Sequence, residues 1–158
     1  MDKNFIWFVW FILMTLVAYL LIPRRQFRRL LPLGIVAGFL LVLAIFLLNV
    51  PLLGIWAFDT IPNSVVGVPL SLPLVWIPIT MLFAYYVPKF KSRDMLTILI
   101  SGFAAGTTLV QGLSVNAGIM RFVHWDLLAT LLLTFSLFSL FALFLLKYDV
   151  VMEKESLS

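Results

Sequence analysis

An all-α integral membrane bundle of five transmembrane helices is the fold class the sequence predicts, and three observations predict it. The 158 residues are 63% apolar and only 11% charged, with a mean hydropathy of +1.14, whereas a water-facing domain carries about a quarter of its residues charged. The apolar residues fall into five long blocks with the charges confined between them. Backbone amides in hydrocarbon have no water to bond, so each block must satisfy its own amides as a helix.

The first block, 5–22, carries no charge and is closed by Pro23 and the basic run Arg24, Arg25, Arg28 and Arg29. It reads as a retained span rather than a cleaved signal peptide, because Ile22, Pro23 and Arg24 offer no small-residue cleavage site. The second, 33–50, is interrupted by Pro51, and the apolar stretch that continues to Phe58 reads as a kinked extension or a shallow interfacial dip. The third, 68–87, holds Pro69, Pro73 and Pro78, which membrane helices tolerate when neighbours satisfy the freed carbonyls. The fourth, 95–115, has Ser92 placed as an N-cap and Asp94 in the first turn, where the helix dipole favours an acid. The fifth is 127–146. At about 1.5 Å per residue these blocks reach roughly 27 to 32 Å, the thickness of a hydrocarbon core. Short loops make sequence neighbours antiparallel partners in one transmembrane domain over 1–158. An odd number of spans speaks against a simple inverted-repeat transporter.

Lys and Arg are distributed nine to one side and two, Lys3 and Arg121, to the other. The positive-inside bias puts the N-terminus outside and the C-terminus in the cytoplasm. The aromatics agree: Trp7, Trp10, Trp56 and Trp125 fall at the outer interface, Tyr19, Tyr85, Tyr86 and Tyr148 at the inner one, and Trp76 at mid-span.

Composition excludes several chemistries. Without cysteine there is no disulfide, thiol redox or Cys-metal site, and one histidine excludes a multi-His metal site. No cofactor or metal is expected. The net charge of +4 sits in loops beside lipid headgroups, so nucleic acid is not an expected partner. The chain carries no HExxH, GxSxG, phosphate-cradling glycine loop or acidic metal-binding motif. No ionisable residue lies deep in any block, which disfavours proton-coupled transport.

Three sets of residues stand out. Arg24, Arg25, Arg28 and Arg29 share one helical face of about 140°, opposite Phe27, Leu30 and Leu31. As an interfacial turn on the cytoplasmic side they either set topology or recognise anionic headgroups, at roughly 1 kcal/mol each. The fourth block is the least apolar: Gly102 and Gly106 form a small-xxx-small pair beside Ser101, Thr107, Thr108, Gln111 and Ser114. Small residues admit a neighbouring backbone and hydroxyls bond across it, which predicts a central fourth helix, a homo-oligomer seam or a ligand cavity. Gly34 and Gly38 make a similar groove on the second block. The third set is a polar outer rim: Trp56, Asp59 and Asn63 from one loop, Asn116, Arg121, His124 and Asp126 from another. If the loops meet, Asp59 can pair with Arg121 or His124 above a shallow polar pocket floored by Gln111 and Asn116; otherwise these are solvated loop residues, with Asp126 starting the last helix.

Leu31-Pro32-Leu33-Gly34, Leu53-Gly54-Ile55-Trp56, Gly67-Val68-Pro69-Leu70, Pro78 with Met81-Leu82-Phe83, Tyr86-Val87-Pro88-Lys89 and Trp125 together resemble a loosely defined group of small, uncharacterised multi-pass proteins of endospore-forming bacteria. The resemblance implies a five-helix protein of a bacterial cell membrane and transfers no functional residue. Small membrane carotenoid cyclases, with their Pro-x-Glu-Glu type motif, are a poorer match, since no glutamate precedes Glu153. The expected role is non-enzymatic: an accessory or ligand-sensing membrane protein whose outer rim supplies recognition, with membrane lipids and a partner membrane protein or second copy as its company. A small transporter or channel subunit using the polar face of the fourth helix is the alternative. A membrane enzyme acting on a lipid or isoprenoid through Asp59 and His124 comes third.

Overall fold

The computed structural model describes residues 5–58, 64–65, 67–90 and 92–148. These are mostly helical: α1 is Phe5–Leu21, α2 runs through Arg24–Leu52, α3 is Ser71–Tyr86 with a 3-10 turn at Val87–Lys89, α4 is Arg93–Asn116 and α5 is Leu127–Tyr148. All but α1 are long and apolar enough to cross a membrane; α1 is an apolar helix of 17 residues. Large apolar side chains cover the outside of the bundle, with Leu20, Leu52 and Ile98 each more than 70% exposed.

Three boundaries differ from the sequence reading. The basic run is not a separate interfacial turn: Arg24, Arg25, Arg28 and Arg29 are the exposed start of α2, while Leu30 is buried and Leu31 faces outward. Pro23, extended at φ −54° and ψ 140°, separates this start from α1. The helix then continues through Pro32 and Pro51 to Leu52 rather than breaking at Val50. It does so by widening into π-helical turns at Gly34–Leu40 and Leu48–Leu52. Pro51 has no N–H to give, and its ring collides with the carbonyl four residues back in a regular helix; the wider turn removes the clash. The Leu53 N–H then reaches the Leu48 carbonyl at 3.0 Å, and Asn49 Nδ2 donates to the Ile45 carbonyl at 2.7 Å.

The third span likewise begins later than its apolar pattern, at Ser71. Val68–Pro69 (β3) is instead a strand, paired with Ser64–Val65 (β2), because the residue before a proline is pushed towards extended backbone. Pro73 falls in the first turn of α3, where its missing N–H is no loss.

The centre of the bundle is α3, not the fourth helix. Of its span 61% is buried, against 22–28% for the other long helices. It packs on α1, which adjoins it along much of its length, and on the glycine-bearing stretch of α2. A Cβ at Gly38 would stand 2.6 Å from the Trp76 carbonyl oxygen, and one at Gly34 2.8 Å from Met81 Cγ. The two backbones therefore meet where only glycine fits. Gly102 and Gly106 have open space in front of them. On the other side α4 pairs with α5, where Thr108 Oγ1 and Thr134 Oγ1 lie 3.5 Å apart and each hydroxyl donates to a carbonyl of its own helix. Phe83 packs among Phe103, Phe138 and Phe141 with ring centroids 4.8–5.8 Å away, filling the core at the basic end.

Two loops meet at the opposite end by a route that the hydropathy pattern does not carry. Both α2 and α4 end, turn at a left-handed glycine, Gly54 (φ 61°) or Gly118 (φ 64°), and enter a three-residue strand, β1 Trp56–Phe58 and β4 Met120–Phe122. These strands pair antiparallel with Trp56 opposite Phe122, Ala57 opposite Arg121 and Phe58 opposite Met120. The Val123 N–H adds a bond to the Ile55 carbonyl at 3.0 Å.

Gly38→Ala should lower stability by about 1–3 kcal/mol, because the Trp76 backbone cannot retreat. Gly102→Ala and Gly106→Ala should be neutral or gain about 0.5–1 kcal/mol through helix propensity. Thermal unfolding of the detergent-solubilised variants checks the contrast, and equal losses at all three positions would refute the packing order.

Candidate functional site

α1 packs along α3, while α4, paired with α5, reaches α3 through Phe103 against Phe83 at 5.1 Å, and α1 and α4 do not pack substantially against each other. The gap between them is a cavity of about 700 Å³, within the usual range of small-molecule sites, about 300–1,000 Å³. Trp7, Trp10 and Met14 of α1 form one wall; α3 supplies the floor through Leu72, Val75, Trp76 and Ile79. The other wall is α4 from Met95 to Gln111, about 24 Å of helix. Gly102 and Gly106 line this wall and are exposed, so the cavity is a cleft open to the exterior of the bundle. The glycines that predicted a packing groove thus shape an empty one.

A second cavity of about 100 Å³ lies between α2 and α5, lined among others by Trp56, Thr80, Thr130, Thr134 and Gln111. Phe46, Trp76 and Gln111 line both spaces and form the partition between them.

The polar groups of this region are unevenly satisfied. Thr130 Oγ1 donates to the Asp126 carbonyl at 2.9 Å and accepts from Trp125 Nε1 at 2.9 Å. Ser114 Oγ donates to the Val110 carbonyl at 2.7 Å. Four buried side-chain atoms among the described residues have no partner: Trp7 Nε1, Thr15 Oγ1, Trp56 Nε1 and Gln111 Oε1. Three of the residues that carry them, Trp7, Trp56 and Gln111, line the two cavities. Trp7 is 3% exposed and Gln111 9%. A buried polar atom left unbonded costs about 1–3 kcal/mol.

The predicted intramembrane face therefore divides. Ser101 is exposed, Thr107 lines the cleft, Thr108 faces α5, Ser114 is satisfied by its own helix, and Gln111 is the buried, unpartnered member. The outer rim divides as well. Its two loops do meet, through β1 and β4, but Asp59 and Asn63 lie outside the described residues. Asn116, Arg121 and His124 are exposed and line neither cavity. Trp56 is buried, edge-on to Trp125 at 6.3 Å and tilted against Phe46 at 5.3 Å. Asp126 is a helix cap: its Oδ1 accepts from the Ala129 N–H at 2.7 Å. Ser92 caps α4 as expected, accepting from the Met95 N–H at 3.2 Å. Reading residue types in order along the chain missed Trp7, because an indole near a helix end looks like an interfacial anchor. Its burial against α3 depends on where α1 docks.

At the basic end, the Arg24 guanidinium lies 5.8 Å from the Tyr19 ring centre, and Lys89 Nζ lies 3.5 Å from that of Tyr85. These contacts hold cations against aromatic faces at the ends of α1, α2 and α3. Among the described residues no three His, Cys, Asp or Glu side chains gather where they could hold a metal. Comparisons with protein-family models, with curated proteins and with solved structures find no match.

Gln111→Leu should raise stability by about 1–2 kcal/mol, since it removes an unbonded buried carbonyl at nearly constant volume. Asp126→Ala should cost about 1 kcal/mol as a lost cap. Denaturation in mixed micelles measures both; a destabilised Gln111→Leu would mean that the amide is satisfied.

Proposed function

We propose that this chain is a five-pass membrane protein that binds an uncharged apolar ligand, drawn from the lipid phase into the cleft between α1 and α4, in a non-enzymatic accessory or sensing role. The observation that carries this reading is the cleft itself, about 700 Å³ lined by aromatic and aliphatic side chains and two glycines, with no Asp, Glu, Lys, Arg or His among them. Recognition moves in this reading from the outer rim to the cleft beneath it, because Asn116, Arg121 and His124 line neither of the two cavities. A cleft between two helices, open sideways, suits a ligand that arrives through the bilayer.

The apolar exterior supports lipid as the surrounding solvent. Arg24, Arg25, Arg28, Arg29, Lys89 and Arg93 belong at the cytoplasmic face by the positive-inside bias, where the arginines of α2 attract anionic headgroups. The tryptophan end, with β1 and β4, then faces outward, and α1 begins on that side.

Because the natural chain has no cysteine, single substitutions Arg121→Cys and Ser92→Cys report topology cleanly. An impermeant maleimide added to intact cells should label the first and spare the second; the reverse pattern would overturn the orientation. For the cleft, three of the five tryptophans, Trp7, Trp10 and Trp76, line its walls. A dibrominated hexadecane should quench their fluorescence saturably in a Trp56→Phe, Trp125→Phe background. Gly106→Leu, which meets open space and so leaves the fold intact, should abolish the saturable component. Quenching that stays linear and unchanged by Gly106→Leu would remove the binding role.

A further inference from the structure

A second site lies at the basic end of the bundle; it rests on the membrane placement of α2 proposed above and not on the cleft. Arg24 and Arg28 stand one turn apart on α2, Leu31 and Ile35 continue the same stripe, and all four are exposed. Arg25 and Arg29 repeat the spacing one position round the helix. Helix stability does not account for this arrangement. The dipole disfavours cations at a helix start, and here the first turn contains no acid and Pro23 gives no side-chain cap. The described residues contain two acids, Asp94 and Asp126, of which Asp126 starts the last helix at the tryptophan end. Arg24 lies instead over the face of Tyr19, 5.8 Å from its ring centre. Stacking of that kind leaves the in-plane N–H groups of the guanidinium available to an anion.

The length of α2 fixes the depth of these cations. Its 29 residues reach roughly 40 Å, against a hydrocarbon core of about 30 Å. The uncharged stretch from Leu30 to Leu52 fills that core, so the turns before it stand in the headgroup layer, with Arg28 about 6 Å nearer to the hydrocarbon than Arg24. The cations are thus stacked along the membrane normal rather than spread across the surface. We infer that the start of α2 binds a lipid whose head carries two phosphates in series, a lipid diphosphate. Its inner phosphate lies against Arg28, its outer phosphate against Arg24, and its chain runs along Leu31 and Ile35. Guanidinium forks match phosphate oxygens two at a time. A head with a single phosphate, such as phosphatidylglycerol, leaves the outer level unmatched. Cardiolipin has two phosphates, but the glycerol that joins them lies across the surface and holds both at one depth. A run of arginines that only sets topology needs its charge and not this stacking.

Native mass spectrometry of the full-length protein in micelles tests this, with geranylgeranyl diphosphate, geranylgeranyl monophosphate, phosphatidylglycerol, cardiolipin and inorganic pyrophosphate as probes. The diphosphate should bind about thirtyfold more tightly than the monophosphate, the gain expected from the two arginines of the outer level. Cardiolipin should stay within a few-fold of phosphatidylglycerol, and pyrophosphate, which has no chain, should bind more weakly than the lipid diphosphate. Arg24→Gln should weaken the diphosphate about fivefold and leave the monophosphate as it was, whereas Arg28→Gln should weaken both about fivefold. Both side chains are exposed, and monophosphate binding of unaltered strength shows that Arg24→Gln is folded. Equal binding of diphosphate and monophosphate, equal losses for both probes in both variants, or cardiolipin as tight as the diphosphate would each overturn the stacked pair of phosphates while leaving α2 in the bilayer. Pyrophosphate as tight as the lipid diphosphate would assign the site to a soluble anion and overturn the lipid. Binding of no anionic lipid at all, phosphatidylglycerol included, would overturn the placement of these arginines among headgroups, and with it this inference.

Discussion

The close approach of α2 to α3 organises this molecule. Gly34 and Gly38 remove the side chains that would hold the two helices apart, and the Trp76 carbonyl occupies the space where a Cβ would otherwise stand. In a bundle whose exterior is as apolar as its interior, hydrophobicity does not choose which helix lies inside; the chance to bring backbones into contact does. Once α3 is seated on that seam, α1 covers one side of it and α4 pairs away with α5. The cleft between α1 and α4 is what remains. Its existence is thus a consequence of a contact made on the far side of the central helix.

The tryptophan end closes over this arrangement with backbone hydrogen bonds rather than charge. Loops that leave α2 and α4 could satisfy their amides with water, but at this end they satisfy each other through β1 and β4. The pairing carries Trp56 inward against Phe46 and Trp125, and it buries the Trp56 indole N–H without a partner. Through Trp56 the paired strands therefore adjoin Phe46, one of the three residues of the partition formed by Phe46, Trp76 and Gln111. The contrast with the neighbouring threonines is instructive: Thr108, Thr130 and Thr134 all bond to carbonyls of their own helix. Gln111 differs: its side-chain oxygen is buried with no hydrogen-bond partner among the described residues.

Much of the helical framework was legible in the residues. The apolar blocks, the Ser92 cap with Asp94 behind it, and Asp126 at the start of the last helix are local signals, and each appears where its chemistry required. The errors were local too. Pro51 read as an interruption, yet α2 passes through it to Leu52, because a π-helical turn relieves the proline without ending the helix. Val68 read as helix from its hydropathy, while the proline after it favoured a strand. Of the candidate site, Gln111 and Thr107 could be named from their place in an apolar block, but Trp7 could not.

By itself, then, the sequence determined how many helices form, where most of them start and stop, and which end is basic and which carries tryptophan, because each of these depends on residues within a few turns of one another. Only the tertiary structure decided which helix is central, which of two equivalent-looking glycine pairs is filled, and that the loops at the tryptophan end pair as strands. Gly34–Gly38 and Gly102–Gly106 are the same signal in sequence; one meets the Trp76 backbone and the other meets open space. The difference lies in what stands opposite, and a linear pattern contains no information about its opposite face until the helices have docked.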